Sequence, residues 1–433
     1  MIDFPILLLL GLCSTVLMVL MLRIETNIRS PLVVFPLGVI ALYCYPYFSH
    51  MMDYSFAASA VVGMWGALFC LFYFSFRVIF INAFKVNWGA GDGLRGNLKA
   101  ATPHNDRLLY YTYVALIVFS VILSMHIYFH FNFISMLNST WAGRRAEVAS
   151  PMAELALYYA YMAACGSLIY YHLAKKRRKA LLYLCIISLV YFSLVIKTKA
   201  YLVYMIIPFL VYYYLNRDAG KRRYVILMTM VASFLFLYLL VRFARHIGDL
   251  HSLSLYGGSI VSTVMGTDTG EFSLISAFFS LVQSGNNNPS FDANHSLIRM
   301  LMVFVPSSLG GSIKPEGMAY TIWDAYIGVK GVGGSYPATI IGDSYFNDFS
   351  FGYIIYPFFY AFVFSAIEKF SLHRRYMRLP VFALFCPTVL TMVRGSVYNG
   401  FSVLMFCFIF WLIVDLVSRT GILFKRTITE RID

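Results

Sequence analysis

The sequence predicts an all-helical polytopic integral membrane protein of about eleven transmembrane helices with one long outward-facing loop. Three observations carry that prediction. Hydrophobic residue types make up 60% of the 433 residues and charged types 12%, whereas a soluble globular chain is nearer half apolar and a quarter charged. The apolar residues come in long runs, and roughly 20 such residues make a helix that crosses a bilayer. Short basic clusters separate the runs. Mean hydropathy is +0.71. Because the bilayer supplies much of the burial, the chain reads as one transmembrane domain, 1–433, with the loop 242–349 inside it.

Taken in order, the runs place helices at 4–22, 32–49, 54–76, 108–129, 151–173, 180–196, 200–215, 224–241, 350–369, 380–393 and 397–417. The first could be mistaken for a signal peptide. Its leading residues carry Asp3 and no basic residue, and no small-x-small cleavage site follows, so a retained helix is expected. Residues 180–215 are too long for one span and are interrupted by Lys197 and Lys199, which predicts two short helices with the lysines at the turn. Arg394 and Gly395 divide 380–417 in the same way. Short segments around a charged break often mark a site within a membrane.

Lysine and arginine counts set the expected orientation. One face takes 24 of the 34. They include Arg23 and Arg29, Arg77 to Arg107, the run Lys175 to Lys179, Arg217 to Arg223, Lys369 to Arg378, and the four after Ser418. That face is expected to be cytoplasmic, with the N-terminus periplasmic and the C-terminus inside the cell. The +14 net charge is then a topology signal and calls for no nucleic-acid partner.

The long connection, 242–349, falls on the outer face, and loops of that length without a function are uncommon. Within it, Glu271 to Gln283 and Ser296 to Leu309 read as short amphipathic helices lying on or dipping into the membrane. Gly- and Pro-rich stretches run from Gly285 to Pro289, Gly310 to Pro315 and Gly328 to Pro337. All seven cysteines lie in apolar stretches without metal-site spacing, so neither a disulfide framework nor a cysteine metal site is expected. No P-loop, G-x-S-x-G or H-E-x-x-H pattern occurs. No outward Asp-x-Asp metal signature occurs either, and no cofactor is expected.

Ten outer basic residues resist the inside bias: Arg144, Arg145, Lys197, Lys199, Arg242, Arg245, Arg299, Lys314, Lys330 and Arg394. Arginine is a permanently charged fork that suits diphosphate oxygens, and lysine is a point charge for the same task. Converging on one cavity, such residues would bind a lipid-linked diphosphate. Each can instead snorkel to lipid phosphates. That bland reading is preferred for Arg144, Arg145 and Lys330; the functional one is preferred for Arg394. Lys199, Arg242, Arg299, Arg245, Lys197 and Lys314 remain as diphosphate-binding candidates. Among acid–base candidates His295 stands out, because on a helix it shares a face with Arg299 four residues on. An imidazole beside an arginine stays neutral, as a general base requires. A capping role explains His295 equally well. Asp343, in Ile341-Gly342-Asp343-Ser344-Tyr345, is the second candidate; just before a helix it would also make an ordinary cap.

Four local patterns carry a resemblance. They are the turn Thr198-Lys199 followed by Tyr201 to Leu215 and Arg217; Val305-Pro306-Ser307-Ser308-Leu309 through Lys314-Pro315; Pro337 to Gly352 with Gly342-Asp343-Ser344-Tyr345-Phe346-Asn347; and Val393-Arg394-Gly395. In their order along the second half of the chain they resemble the bacterial O-antigen and related oligosaccharide repeat-unit polymerases of the Wzy type. One departure is Lys199 where arginine is expected, which keeps the charge but loses the fork. The resemblance implies a GT-C-like membrane glycosyltransferase of the cell inner membrane, acting in lipopolysaccharide biosynthesis. It implies metal-independent transfer at the periplasmic face from an undecaprenyl-diphosphate-linked oligosaccharide to a second lipid-linked repeat unit. A chain-length regulator (Wzz type) and a flippase (Wzx type) would be partners. Arg394, Lys199, Arg242 and Arg299 would stabilise the departing diphosphate; His295 or Asp343 would take the proton. Competing readings are an O-antigen ligase that transfers to lipid A core, membrane acyl transfer, and a flippase or other transporter. Nearly charge-free helices and the absence of repeat halves disfavour transport.

Overall fold

The computed structural model describes residues 3–89, 94, 103–132, 151–174, 178–196, 199–215, 225, 227–229, 231–233, 274–285, 295–305, 314–315, 317–327, 336–348 and 350–429. No strand occurs among them. Among the described residues, seven helices are long and apolar enough to cross a membrane. They are α1 (Asp3–Asn27), α2 (Pro31–His50), α3 (Phe56–Phe84), α4 (Pro103–Phe129), α13 (Gly352–Leu372), α14 (Arg375–Val393) and α15 (Val397–Thr429). The helices between them are α5 (Pro151–Ala164), α6 (Ser167–Leu173), α7 (Lys179–Val190), α8 (Lys199–Leu215), α9 (Leu274–Gln283), α10 (His295–Leu301), α11 (Met318–Ile327) and α12 (Thr339–Asn347).

Three of the remaining expected spans differ in form. The expected helix at 151–173 is two, because Gly166 at φ +79° breaks it, and a Cβ there would lie 2.9 Å from both Ala383 Cβ and Tyr113 Oη. The pair at 180–215 is present as α7, which runs into a π turn at Tyr191–Val195, and α8, which begins at Lys199. Both are shorter than a full span. The expected helix at 224–241 lies mostly outside the described residues.

The chain divides into two compact units. The first takes 1–87, 258–370 and 388–402. In it α1 buries Leu7, Gly11, Ser14, Met18, Met21 and Glu25, at alternating steps of four and three, while Leu9, Val16 and Val19 are exposed. Within that face the small residues Gly11 and Ser14 let neighbouring helices approach closely, as helices pack in lipid. Helix α2 carries Pro46, which has no N–H to donate. A π turn at Ile40–Cys44, where Tyr45 N bonds Ile40 O, accommodates it. That turn carries Tyr43, whose hydroxyl donates to Val62 O at 2.7 Å across the bare Cα of Gly66.

At one end of this unit, Arg77 of α3 is fully buried against two carboxylates. Its Nε lies 2.7 Å from Glu25 Oε1 and its Nη2 2.6 Å from Glu368 Oε2. Nη1 donates to Ser365 Oγ and Ser30 Oγ to Glu368 Oε1. Ser30 also caps α2 by accepting from Leu32 N. Counting Arg77 among the basic residues of a solvent-facing surface is therefore corrected: it is neutralised inside the bundle.

The opposite end, where α1 and α3 begin and α2 finishes, holds segments of the long connection. Helix α9, within the stretch expected to lie on or dip into the membrane, packs on α2 and the α2–α3 turn. Phe279 stacks on Tyr54 at 4.8 Å and on Tyr47 at 5.9 Å, and Ser55 N donates to Gln283 Oε1. Helix α12 joins it through Phe278 against Tyr345 and through Trp65 Nε1, which donates to Ser344 Oγ at 3.1 Å. The start of the chain and these parts of the connection thus share one end, as the expected topology requires.

The second unit takes 88–257, 371–387 and 403–433. Tyrosine hydroxyls bond across its helices. Tyr170 Oη donates to Asp106, Tyr201 Oη to Ser188 Oγ, and Ser124 Oγ pairs with Tyr191 Oη. Asp415, buried in α15, is held by Arg374 at 2.9 Å and Arg419 at 3.1 Å.

Candidate functional site

The densest polar constellation in the long connection forms where α10 meets α12. Asp343 is not at the start of a helix, as a capping role would need, but in the middle of α12. Its carboxyl is buried at 1% exposure. Ser296 Oγ donates to Asp343 Oδ1 at 3.2 Å, and Asn347, one turn further along α12, donates from Nδ2 to Asp343 Oδ2 at 3.2 Å and to Ser296 Oγ at 3.1 Å. Ser296 N donates to Asn347 Oδ1, closing the ring of bonds. Burial pushes the Asp343 carboxyl up to about 8, and the Ser296 hydrogen bond offsets this only in part. At neutral pH the group holds its proton. In this conformation no solvent-borne hydroxyl reaches it, because Ser296 is itself 2% exposed.

The entry to α12 is tightly built. Thr339 has φ +65°, an unfavourable region for a β-branched residue. The turn Arg394-Gly395 between α14 and α15 lies directly against it. Gly395 has φ +102°, and a Cβ there would meet Thr339 N at 2.7 Å. The charged break expected between two helices is thus real, and its glycine lets the backbone approach α12. Arg394 is half-buried at this turn.

Four residues after Arg394, Tyr398 gathers two of the expected cations. Arg299 Cζ sits 4.3 Å over its ring and Lys314 Nζ 5.7 Å from it. Arg299 Nη1 donates to Pro315 O and Lys314 Nζ to Val305 O. Arg299 Nε is buried without a hydrogen-bond partner among the described residues. Neither cation is paired with a carboxylate among the described residues. Two positive groups around one aromatic ring, one with a buried unused donor, could together receive an anion.

The structure therefore brings Arg299 and Lys314 together, sets Arg394 in the turn just before Tyr398, and seats Asp343 against the helix that carries Arg299. His295 begins α10, four residues before Arg299, as the sequence indicated; its side chain lies outside the described residues. Lys199 starts α8 in the second unit, with its side chain likewise outside them. Lys197, Arg242 and Arg245 lie outside the described residues altogether. No group of three or more His, Cys, Asp or Glu side chains that could hold a metal occurs among the described residues.

Sequence reasoning missed Ser296, Asn347 and Tyr398. Asp343 and Asn347 stand four apart, as do Arg394 and Tyr398. The first spacing shares a helix face, a signal that was available but weak.

Comparison with protein-family models, curated proteins and solved structures finds no match to this chain.

Proposed function

We propose that the chain is a repeat-unit polymerase of the O-antigen kind, a membrane glycosyltransferase of about eleven spans with its site at the periplasmic face of a bacterial inner membrane. The observation that carries this reading is the Arg299–Lys314 pair on Tyr398, beside the Arg394 turn. A diphosphate is already a good leaving group, so catalysis mainly requires cations placed where negative charge develops. Arg299 offers its unused Nε–H and Lys314 a point charge. The acceptor sugar hydroxyl must lose a proton as its oxygen bonds the anomeric carbon and the carbon–diphosphate bond breaks. His295, at the head of α10, is the first base. Asp343 is the second base: its carboxyl is protonated while buried, so it serves only after α10 and α12 part and solvent takes that proton, leaving a carboxylate to accept the sugar's.

The test is lipopolysaccharide banding in a host lacking this gene, complemented with wild type, Arg299→Ala, Arg394→Ala and His295→Ala at matched membrane expression. The proposal expects a ladder from wild type and only core plus a single repeat from Arg299→Ala and Arg394→Ala. Loss of even the single repeat in the deletion strain points to a ligase or flippase instead.

A further inference from the structure

A second chemical surface lies in the same unit and plays no part in the anion site. Helix α11, which follows Lys314 and Pro315, carries Trp323 and Tyr326 on one side. Between their rings sits Tyr336, whose backbone N donates to Ala319 O at 2.9 Å. Tyr326 and Tyr336 stack at 5.3 Å and 22°, and Trp323 and Tyr336 at 6.4 Å and 16°. Tyr54, in the α2–α3 turn, lies close enough to Tyr326 and Tyr336 for each to act electrostatically on its hydroxyl. Near-parallel rings from α11 and Tyr336 therefore form one shelf, with the Tyr54 hydroxyl near it. It is open: Tyr326 is 43% exposed.

Polar groups border the rings. Asp53, beside Tyr54, is 60% exposed and held by His50 Nδ1 at 2.9 Å. Trp323 Nε1 is a buried donor with no hydrogen-bond partner among the described residues. Flat rings beside a carboxylate and an unused indole N–H suit a ligand with a C–H face and hydroxyl edges. A lipid chain offers neither hydroxyl edge, and a phosphate offers no apolar face.

We infer that Trp323, Tyr326 and Tyr336, with Tyr54 and Asp53 at their border, form a carbohydrate-binding shelf that holds the glycan of a lipid-linked substrate. This rests on the repeat-unit reading above and adds to it where the sugars lie. The link is physical: α11 begins four residues after Lys314, and the eight helical steps from Met318 to Tyr326 rise about 12 Å. A diphosphate at Arg299 and Lys314 thus leaves a short oligosaccharide within reach of the rings. The shelf would grip the sugars by stacking and carboxylate bonds while the cations grip the carrier.

The full chain in lipid nanodiscs tests this by titration with two probes. One is a panel of sugar-only bacterial surface oligosaccharides; the other is undecaprenyl diphosphate bearing no sugar. Trp323→Ala and Tyr326→Ala are expected to weaken oligosaccharide binding about tenfold each, the loss of one stacked ring and its contacts, and to leave undecaprenyl diphosphate binding unchanged. Tyr326→Phe should keep most of the oligosaccharide affinity. Arg299→Ala should do the reverse, weakening the carrier and sparing the sugar. The inference is overturned if wild type binds no oligosaccharide, or if the alanine variants bind it as wild type does. It is equally overturned if the alanine variants change only thermal stability in nanodiscs, which would make the rings interface anchors. Shelf-dependent sugar binding without any polymer in cells would sink the polymerase reading and spare the shelf. A normal ladder from both alanine variants with unchanged sugar binding would do the opposite.

Discussion

Asp343→Asn should remove a specific pH dependence of stability. An unfolded aspartate titrates near 3.8, and burial in α12 raises the folded value to about 8. The sign follows from proton counting. Between those limits the folded chain holds a proton that the unfolded chain has released, so stability is fully present below about 4 and is lost as pH rises through about 8. The slope inside the window is about 1 kcal/mol per pH unit. For a chain of this size that is roughly 1–2 °C of Tm per unit, or about 5 °C across the window. Asparagine keeps the shape and can still accept from Ser296, but it cannot titrate. Thermal unfolding in nanodiscs between pH 5 and pH 9 should give a wild-type Tm that declines relative to Asp343→Asn, with the two curves separating most steeply between pH 5 and pH 8. Parallel curves would refute the claim that Asp343 is folded in its protonated form.

Three further outcomes are expected. Arg77→Met leaves Glu25 and Glu368 buried without their cation and should cost about 3–5 kcal/mol, whereas the triple change with Glu25→Gln and Glu368→Gln should recover most of it; denaturation of the purified variants measures both. Gly66→Ala places a Cβ 1.8 Å from Tyr43 Oη and should destabilise by about 1–3 kcal/mol through overpacking, read as a lowered Tm that Tyr43→Phe partly restores. Arg299→Ala should weaken undecaprenyl diphosphate binding by about tenfold or more, while Arg299→Lys keeps the charge but loses the fork and falls between. Raising salt should shrink the differences among the three proteins.

Much of the fold is legible in the sequence because spanning helices are declared by length and hydropathy. The breaks at Lys197–Lys199 and Arg394-Gly395 are legible too, since charge interrupts an apolar run at both. What could not be read is how segments fold back on one another. The apolar face of α9 looks the same whether lipid or Tyr47 and Tyr54 cover it, so its packing on those rings could not be read from the sequence. Arg77 looks like a cytoplasmic surface charge until Glu25 and Glu368, 52 positions before and 291 after it, are brought beside it. At the candidate site, Arg299, Lys314 and Arg394 stood out in the sequence because basic residues on the face expected to be outer resist a compositional bias. Ser296, Asn347 and Tyr398 carry no such signal; their roles exist only once α10, α12 and the start of α15 meet.

The most direct measurement is made with purified chain in proteoliposomes supplied only with undecaprenyl-diphosphate-linked repeat units, the products being resolved by length. Polymerisation predicts glycans of two or more repeats on one carrier, release of undecaprenyl diphosphate in proportion, and loss of both in Arg299→Ala and Arg394→Ala. Repeat units that stay single while the lipid carrier moves between leaflets, or that transfer only when a lipid A core acceptor is added, would contradict it.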